Sequence, residues 1–190
     1  GALFFVLIQY AAQGGWGIVL RRIGETTFAT IPVLAALFLP VLLALSANSP
    51  FWQGRDTGLS SARTPLFQAF PRVGVPRPFH SYGQYAHAVD LLIRTKAIPE
   101  PTFLWWDVRP QPALGTIEVR VMDSQTRNED TAALVAMTQC IARRETLDSQ
   151  LTTTQIDSQE SISENRFLAA RDGIEAELID SEREVRIPVK

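Results

Sequence analysis

Hydrophobic and polar positions divide the chain into two textures. From Ala2 to Leu20 nineteen consecutive residues carry no charge, and from Thr26 to Ser46 twenty-one more do the same. Each run is long enough to cross roughly 30 Å of hydrocarbon as a helix, which takes about 20 residues. Between them stands Arg21-Arg22-Ile23-Gly24-Glu25, a polar turn whose arginines favour the cytoplasmic side. The pattern predicts an apolar helical hairpin over residues 2–20 and 28–46, either in a membrane or as two buried helices of a larger soluble core. No basic region precedes the first run, so it does not read as a cleaved signal peptide.

After Ser46 the chain changes to short elements separated by proline and glycine. Ser81-Tyr82-Gly83-Gln84 has the form of a capping box, and Tyr82, Tyr85, Ala86, Val89 and Ile93 follow at helical spacing, which predicts a helix to about Lys96. Phe103–Arg109 and Thr116–Asp123 read as two antiparallel strands joined by Pro110-Gln-Pro-Ala-Leu-Gly115. A helix from Asn128 to Arg144 shows Leu134, Met137 and Ile141 on one face, with Cys140 expected in the core. Residues 151–161 read as a loop and Glu164–Arg171 as a short helix. Residues 174–179 and 184–189 form a hairpin around Asp180–Arg183.

Composition narrows the function classes. The chain has 190 residues, 46% of them hydrophobic, and a net charge of −2, so no global field favours nucleic acid or anionic lipid. One cysteine and two histidines give neither an internal disulfide nor a zinc set, which leaves metals bound by oxygen. From Gly1 to Asn48 the charged residues are Arg21, Arg22 and Glu25, while most of the remainder follow Arg55. This asymmetry, with the start at Gly1, leads us to expect a fragment or a fusion.

The predicted hairpin carries the most informative chemistry. Alternation sets Ile117, Val119 and Val121 on one face of the second strand and Glu118 and Arg120 on the other; in the first strand Trp105, Asp107 and Arg109 share a face. If the charged faces coincide, two registers keep them together. Arg109 opposite Glu118, with Asp107 opposite Arg120, gives ordinary cross-strand ion pairs. Asp107 opposite Glu118 instead sets like charges together and calls for a proton or a cation such as Mg²⁺, with the arginines available to phosphate oxygens. A second polar cluster, residues 46–56 and 58–63 with Arg55 and Arg63, reads either as capped turns after a helix or as an arginine-bearing loop that grips carboxylates or phosphates. His80 and His87 read as surface residues.

Five blocks resemble consecutive motifs of the GCS2-type carboxylate–amine ligases: residues 39–54, from Leu39-Pro-Val-Leu to Asn-Ser-Pro-Phe-Trp-Gln-Gly54; Ala62-Arg-Thr-Pro-Leu-Phe-Gln-Ala-Phe-Pro71; Trp106-Asp-Val-Arg-Pro110; Gly115-Thr-Ile-Glu-Val-Arg-Val-Met-Asp123; and Glu164-Asn-Arg-Phe-Leu-Ala-Ala-Arg-Asp-Gly173. The resemblance covers residues 39–190 and implies an α+β fold, part of a glutamine-synthetase-like antiparallel sheet with flanking helices. It also implies a reaction of the glutamate–cysteine ligase type, in which ATP phosphorylates the glutamate γ-carboxylate and an amine such as that of cysteine displaces phosphate. Carried onto this chain, it makes Glu118 a ligand of Mg²⁺, Arg120 a catalytic and ATP-phosphate contact, and Arg109 a catalytic contact. Arg63 becomes a cofactor-binding residue. The implied partners are small molecules, with no nucleic acid, in the cytoplasm.

The family's early strand with paired glutamates and its His-x-His strand find no counterpart before Leu39, nor does its last helical region after Pro188, so we expect an incomplete ligase domain. Residues 1–38 resemble instead a membrane subunit of quinol-oxidising alternative complex III, through Ala2–Tyr10 and Gly14–Glu25. That resemblance implies an alternative function, a membrane-anchored electron-transfer subunit, with membrane contact through residues 1–46.

Overall fold

The computed structural model describes residues 38–79, 81–111, 116–147 and 158–190. Most of the expected apolar hairpin, residues 1–37, lies outside them, as do His80 and most of the expected loop at 151–161. The described part of the hairpin is α1 (Leu39–Ser46), eight residues with Pro40 in the first turn, where the missing N–H costs nothing. Leu39, Leu42 and Leu43 are wholly buried while Leu45 is 38% exposed, so most of the apolar surface of residues 39–46 packs inside the protein, as the buried-helix alternative has it. No helix among the described residues is long and apolar enough to cross a membrane.

The architecture is α+β, with strands in two-stranded sheets. β1 (Phe51–Trp52) and β2 (Arg55–Asp56) form a tight hairpin with Trp52 opposite Arg55. Its loop residues, Gln53 and Gly54, both have positive φ, the signature of a turn whose twist matches the strands. α2 (Arg63–Gln68) leads to β3 (Val73–Gly74), which pairs in parallel with β4 (Trp105–Trp106). β5 (Val108–Gln111) pairs antiparallel with β6 (Thr116–Val119), and β7 (Glu177–Asp180) with β8 (Val185–Pro188).

The helices follow the sequence closely. α3 (Tyr82–Arg94) is capped by the Ser81 hydroxyl, which accepts from the Gln84 N–H at 3.2 Å as the capping box requires. α4 (Asn128–Leu147) begins on Glu129 and Asp130 and has Arg144 in its last turn, in keeping with the helix dipole. α5 (Gln159–Asp172) starts earlier than the expected Glu164.

Several expectations need correction. The strand expected over Thr116–Asp123 stops at Val119, and the first arm of the last hairpin, expected over residues 174–179, begins only at Glu177 after a 3₁₀ turn at Gly173–Glu175. The strand expected over Phe103–Arg109 is broken into a 3₁₀ turn at Pro101–Phe103, β4 and β5, because the Asp107 N–H bonds to the Gly74 carbonyl of β3 at 2.8 Å while β5 turns to β6. Cys140 is exposed rather than in the core. Leu134, Met137 and Ile141 do pack inward, with buried Thr138 among them, and Cys140 falls off that stripe.

The main core joins α1, β5, β6, α4 and α5 through Leu39, Leu42, Leu43, Val108, Val119, Ile141 and Ala169. A second core of Phe79, Tyr85, Val89, Ile98 and Leu104 lies under α3. There Phe79 meets Tyr85 edge-on with centroids 5.7 Å apart, and both rings contact Trp106.

Candidate active site

The register of β5 and β6 sets Arg109 opposite Glu118, the ion-pair alternative of the two that alternation allowed. Glu118 is 2% exposed and its carboxylate is densely bound. Oε2 accepts from Arg109 Nε and Nη2 and from Gln111 Nε2, each at 2.7 Å, and Oε1 accepts from Arg120 Nη1 at 2.6 Å. Burial is the largest influence on this carboxyl and pushes its pKa up. The hydrogen bonds from Arg109, Arg120 and Gln111, with the charge of Arg109, outweigh it and hold the group below the ordinary glutamate value.

The two arginines differ in what they leave free. Arg109 is 6% exposed, and its remaining Nη1 donates to the carbonyls of Thr102 and Leu104, so its fork ties the 3₁₀ turn to Glu118. It also lies close enough to Tyr85 for its charge to act on the phenol. Burial, with the neighbouring Tyr82, pushes the Tyr85 hydroxyl up to about 12, against a smaller lowering by Arg109. Arg120 is the more open of the two, with 12% of its side chain exposed against 7% for Arg109.

The pairing expected between Asp107 and Arg120 is made by the backbone alone. The Arg120 N–H donates to the Asp107 carbonyl at 2.6 Å, whereas the Asp107 carboxylate is bound by Arg166 of α5 through Nε and, at 3.4 Å, Nη2. Arg166 Nη1 continues to Gln68 Oε1 at 2.8 Å.

Arg63 belongs to a different set, centred on Asp123. Asp123 is 2% exposed and accepts from the Asn48 N–H at 2.9 Å, Ser49 Oγ at 2.7 Å, Ser61 Oγ at 3.1 Å and Arg63 Nε at 2.6 Å. Arg63 Nη2 also donates to the Val121 carbonyl. Four donors from residues 48–63 thus gather on one buried carboxylate just past β6, and the arginine keeps about a third of its side chain exposed. His87 is on the surface, as expected.

Magnesium asks for nearly octahedral oxygen donors, usually one or two carboxylates with substrate phosphates and water. Among the described residues no group of three or more acidic, histidine or cysteine side chains is placed to hold a metal. Glu118 is wrapped by two guanidiniums and Asp107 and Asp123 are each bound to another, so these residues do not by themselves fit the ion. What they do form is a buried carboxylate that orients arginine N–H donors, an arrangement suited to phosphate or carboxylate oxygens.

The chain is thus an α+β unit in which two arginines converge on one buried glutamate beside an antiparallel pair. The family model for Glutamate-cysteine ligase family 2 (GCS2) matches residues 30–190, and the chain belongs to this family. Among its relatives is the Rubrobacter xylanophilus protein named "Putative glutamate–cysteine ligase 2-1", 44% identical over 151 residues that make up 80% of this chain and 40% of the relative. A Sorangium cellulosum protein of the same type is 43% identical over 154 residues, 80% of this chain and 41% of its own length. One from Roseiflexus castenholzii is 40% identical over 158 residues, 83% and 42% respectively. The chain therefore spans about two fifths of the length of these curated relatives. The family match takes in residues 30–38, and nothing in these comparisons supports the resemblance of residues 1–38 to alternative complex III.

The cluster was legible in part. Arg109, Glu118 and Arg120 are brought together as expected, and Arg63 is not among them. Gln111 and Arg166 escaped the sequence reading: Gln111 stands in the Pro/Gly-rich connection, and Arg166 was visible only as one position of a helical block.

Proposed function

We propose that this chain contributes part of the active site of an ATP-dependent carboxylate–amine ligase of the glutamate–cysteine ligase type, built on a glutamine-synthetase-like fold. In that reaction ATP phosphorylates the γ-carboxylate of glutamate, and an amine such as that of cysteine displaces phosphate to give the γ-glutamyl amide. The observation that carries the reading is Glu118 held between Arg109 and Arg120, within the residues that match the family.

In this reading Arg120 is the residue that touches substrate: its guanidinium turns part of its fork to the oxygens of ATP or the acyl phosphate, where charge accumulates in phosphoryl transfer. Arg109 acts through Glu118, which it orients and keeps ionised. Arg63 offers its remaining N–H groups to a phosphate or carboxylate at the other end of the Asp123 network. No Mg²⁺ is routed through Glu118 in this reading, because Arg109, Gln111 and Arg120 already engage both of its carboxylate oxygens. The partners are ATP, glutamate and an amine, not nucleic acid, and the setting is cytoplasmic.

The test is calorimetric titration of the chain with ATP in the presence of Mg²⁺, beside the Arg120→Ala and Glu118→Ala variants. Arg120→Ala should weaken binding by about 2 kcal/mol, the range of a hydrogen bond to a charged group. Equal affinity in the parent and in both variants would remove the site assignment.

A further inference from the structure

Asp107 occupies the junction between two sheets. It is the single residue between β4, which pairs with β3, and β5, which pairs with β6. Its backbone serves both sides: the N–H donates to the Gly74 carbonyl at 2.8 Å, and the carbonyl accepts the Arg120 N–H at 2.6 Å. Arg120 lies one residue past the end of β6, so this bond fixes its backbone where the ladder stops.

The side chain of Asp107 faces α5, where Arg166 grips both carboxylate oxygens and carries the contact on to Gln68 at the end of α2. Both partners are nearly enclosed, with 11% of the Arg166 side chain and 8% of the Asp107 side chain exposed. Gln68 is exposed, and its Oε1 lies over the bare face of Gly74, 3.0 Å from where a Cβ there would stand. Arg166 therefore clamps the residue from which the Arg120 backbone hangs, and its Nη1 reaches outward to the exposed Gln68.

We propose that Arg166 is a positioning residue: through Asp107 it holds Arg120 at the place where its guanidinium meets Glu118 and an incoming phosphate. The phosphate role of Arg120 rests on the ligase reading above; the clamp itself does not. A lysine at 166 keeps the charge but loses the two-toothed fork, since a guanidinium matches a carboxylate in a way that an ammonium cannot. Arg166→Lys should therefore loosen the junction while leaving the buried charge of Asp107 compensated.

Hydrogen exchange of the 190-residue chain separates this from a general structural role. In Arg166→Lys the Arg120 amide should exchange at least about tenfold faster, while reference amides inside α4 keep their rates, because local opening is distinct from global unfolding. Uniform acceleration of all these amides, or an unchanged Arg120 amide, overturns the proposal. ATP titration supplies the second measurement: Arg166→Lys should weaken binding, and the weakening should vanish in an Arg120→Ala background, the non-additivity expected of a residue that acts through another. Additive losses overturn the proposal. If the parent chain binds no ATP, the ligase reading fails for this chain, and the exchange of the Arg120 amide alone decides whether Arg166 positions it.

Discussion

Glu118 illustrates how a buried charge is kept. Removing one member of such a pair leaves the other enclosed and uncompensated, which typically costs about 3–5 kcal/mol, whereas trimming an exposed pair such as Asp90–Arg94 should change little. Arg120 and Gln111 still bind Glu118 when Arg109 is lost, so Arg109→Ala should lower the free energy of unfolding by about 1–3 kcal/mol in denaturant titrations, and an unchanged stability would mean that the fork does not bear on Glu118. The pH dependence has a definite sign. A carboxyl held below its ordinary value of 4.5 contributes stability above that value and loses it as the pH falls through the folded-state value, so stability should decline on acidification and the acid limb should flatten in Glu118→Gln. Tyr85 has the opposite sign: a phenol raised from 10.0 to about 12 contributes stability below pH 10 that is lost as the pH climbs towards 12. The alkaline limb of unfolding should be shallower in Tyr85→Phe, and identical limbs would contradict the burial of the hydroxyl.

Among the elements, the end of α5 shows how short-range pattern and long-range packing divide the work. The N–H groups of Ser60 and Ser61 donate to the Arg171 and Ala170 carbonyls, at 3.0 and 2.7 Å, and so take over the orphan acceptors of the last helical turn. Gly173 follows at φ +58°, and a Cβ there would come within 2.9 Å of Ser60 Oγ. Gly173→Ala should therefore destabilise the chain by about 1–3 kcal/mol, through backbone strain and crowding together. Thermal unfolding measures it, and an unchanged midpoint would mean that the Ser60 segment yields freely. The local half of this element was legible in part: Glu164–Arg171 reads as a short helix, inside the observed Gln159–Asp172. Its partner was not, because the pairing of residues 60–61 with a helix end more than a hundred positions later leaves no periodic trace. The same division runs through the site. Alternation and the Pro/Gly connection revealed the β5–β6 pair, and the proximity of Arg109, Glu118 and Arg120 followed from its register. Asp107 turned to Arg166 instead of Arg120, and the parallel β3–β4 pair appeared, because both depend on where distant segments pack. Cys140 is exposed because it lies off the Leu134, Met137 and Ile141 stripe, so its apolar side chain alone does not place it in the core.

For the whole molecule, catalysis and binding should separate. Phosphoryl transfer is driven by charge arranged in advance around the transferring group, and the contribution of each donor depends on the others being present. The chain supplies Glu118 on an antiparallel pair and Arg120 just past its end, but no described group of carboxylates is placed to hold a metal, and its aligned residues cover about two fifths of the relatives' length. Ground-state affinity for a phosphate asks only for the guanidinium; transition-state stabilisation asks for the complete shell. We therefore expect the 190-residue chain to bind ATP weakly yet to form no γ-glutamyl amide at a useful rate. The measurement is ATP-dependent phosphate release with glutamate and cysteine, made beside a full-length relative such as the Rubrobacter xylanophilus protein and its variants at the positions aligned with Glu118 and Arg120. Loss of each side chain should lower turnover in the relative by about a hundredfold or more, the scale on which removing a preorganised donor acts. Robust turnover by the short chain that disappears in Glu118→Ala would show that the described residues already complete the site, and turnover in the relative indifferent to both substitutions would move the chemistry elsewhere in the fold.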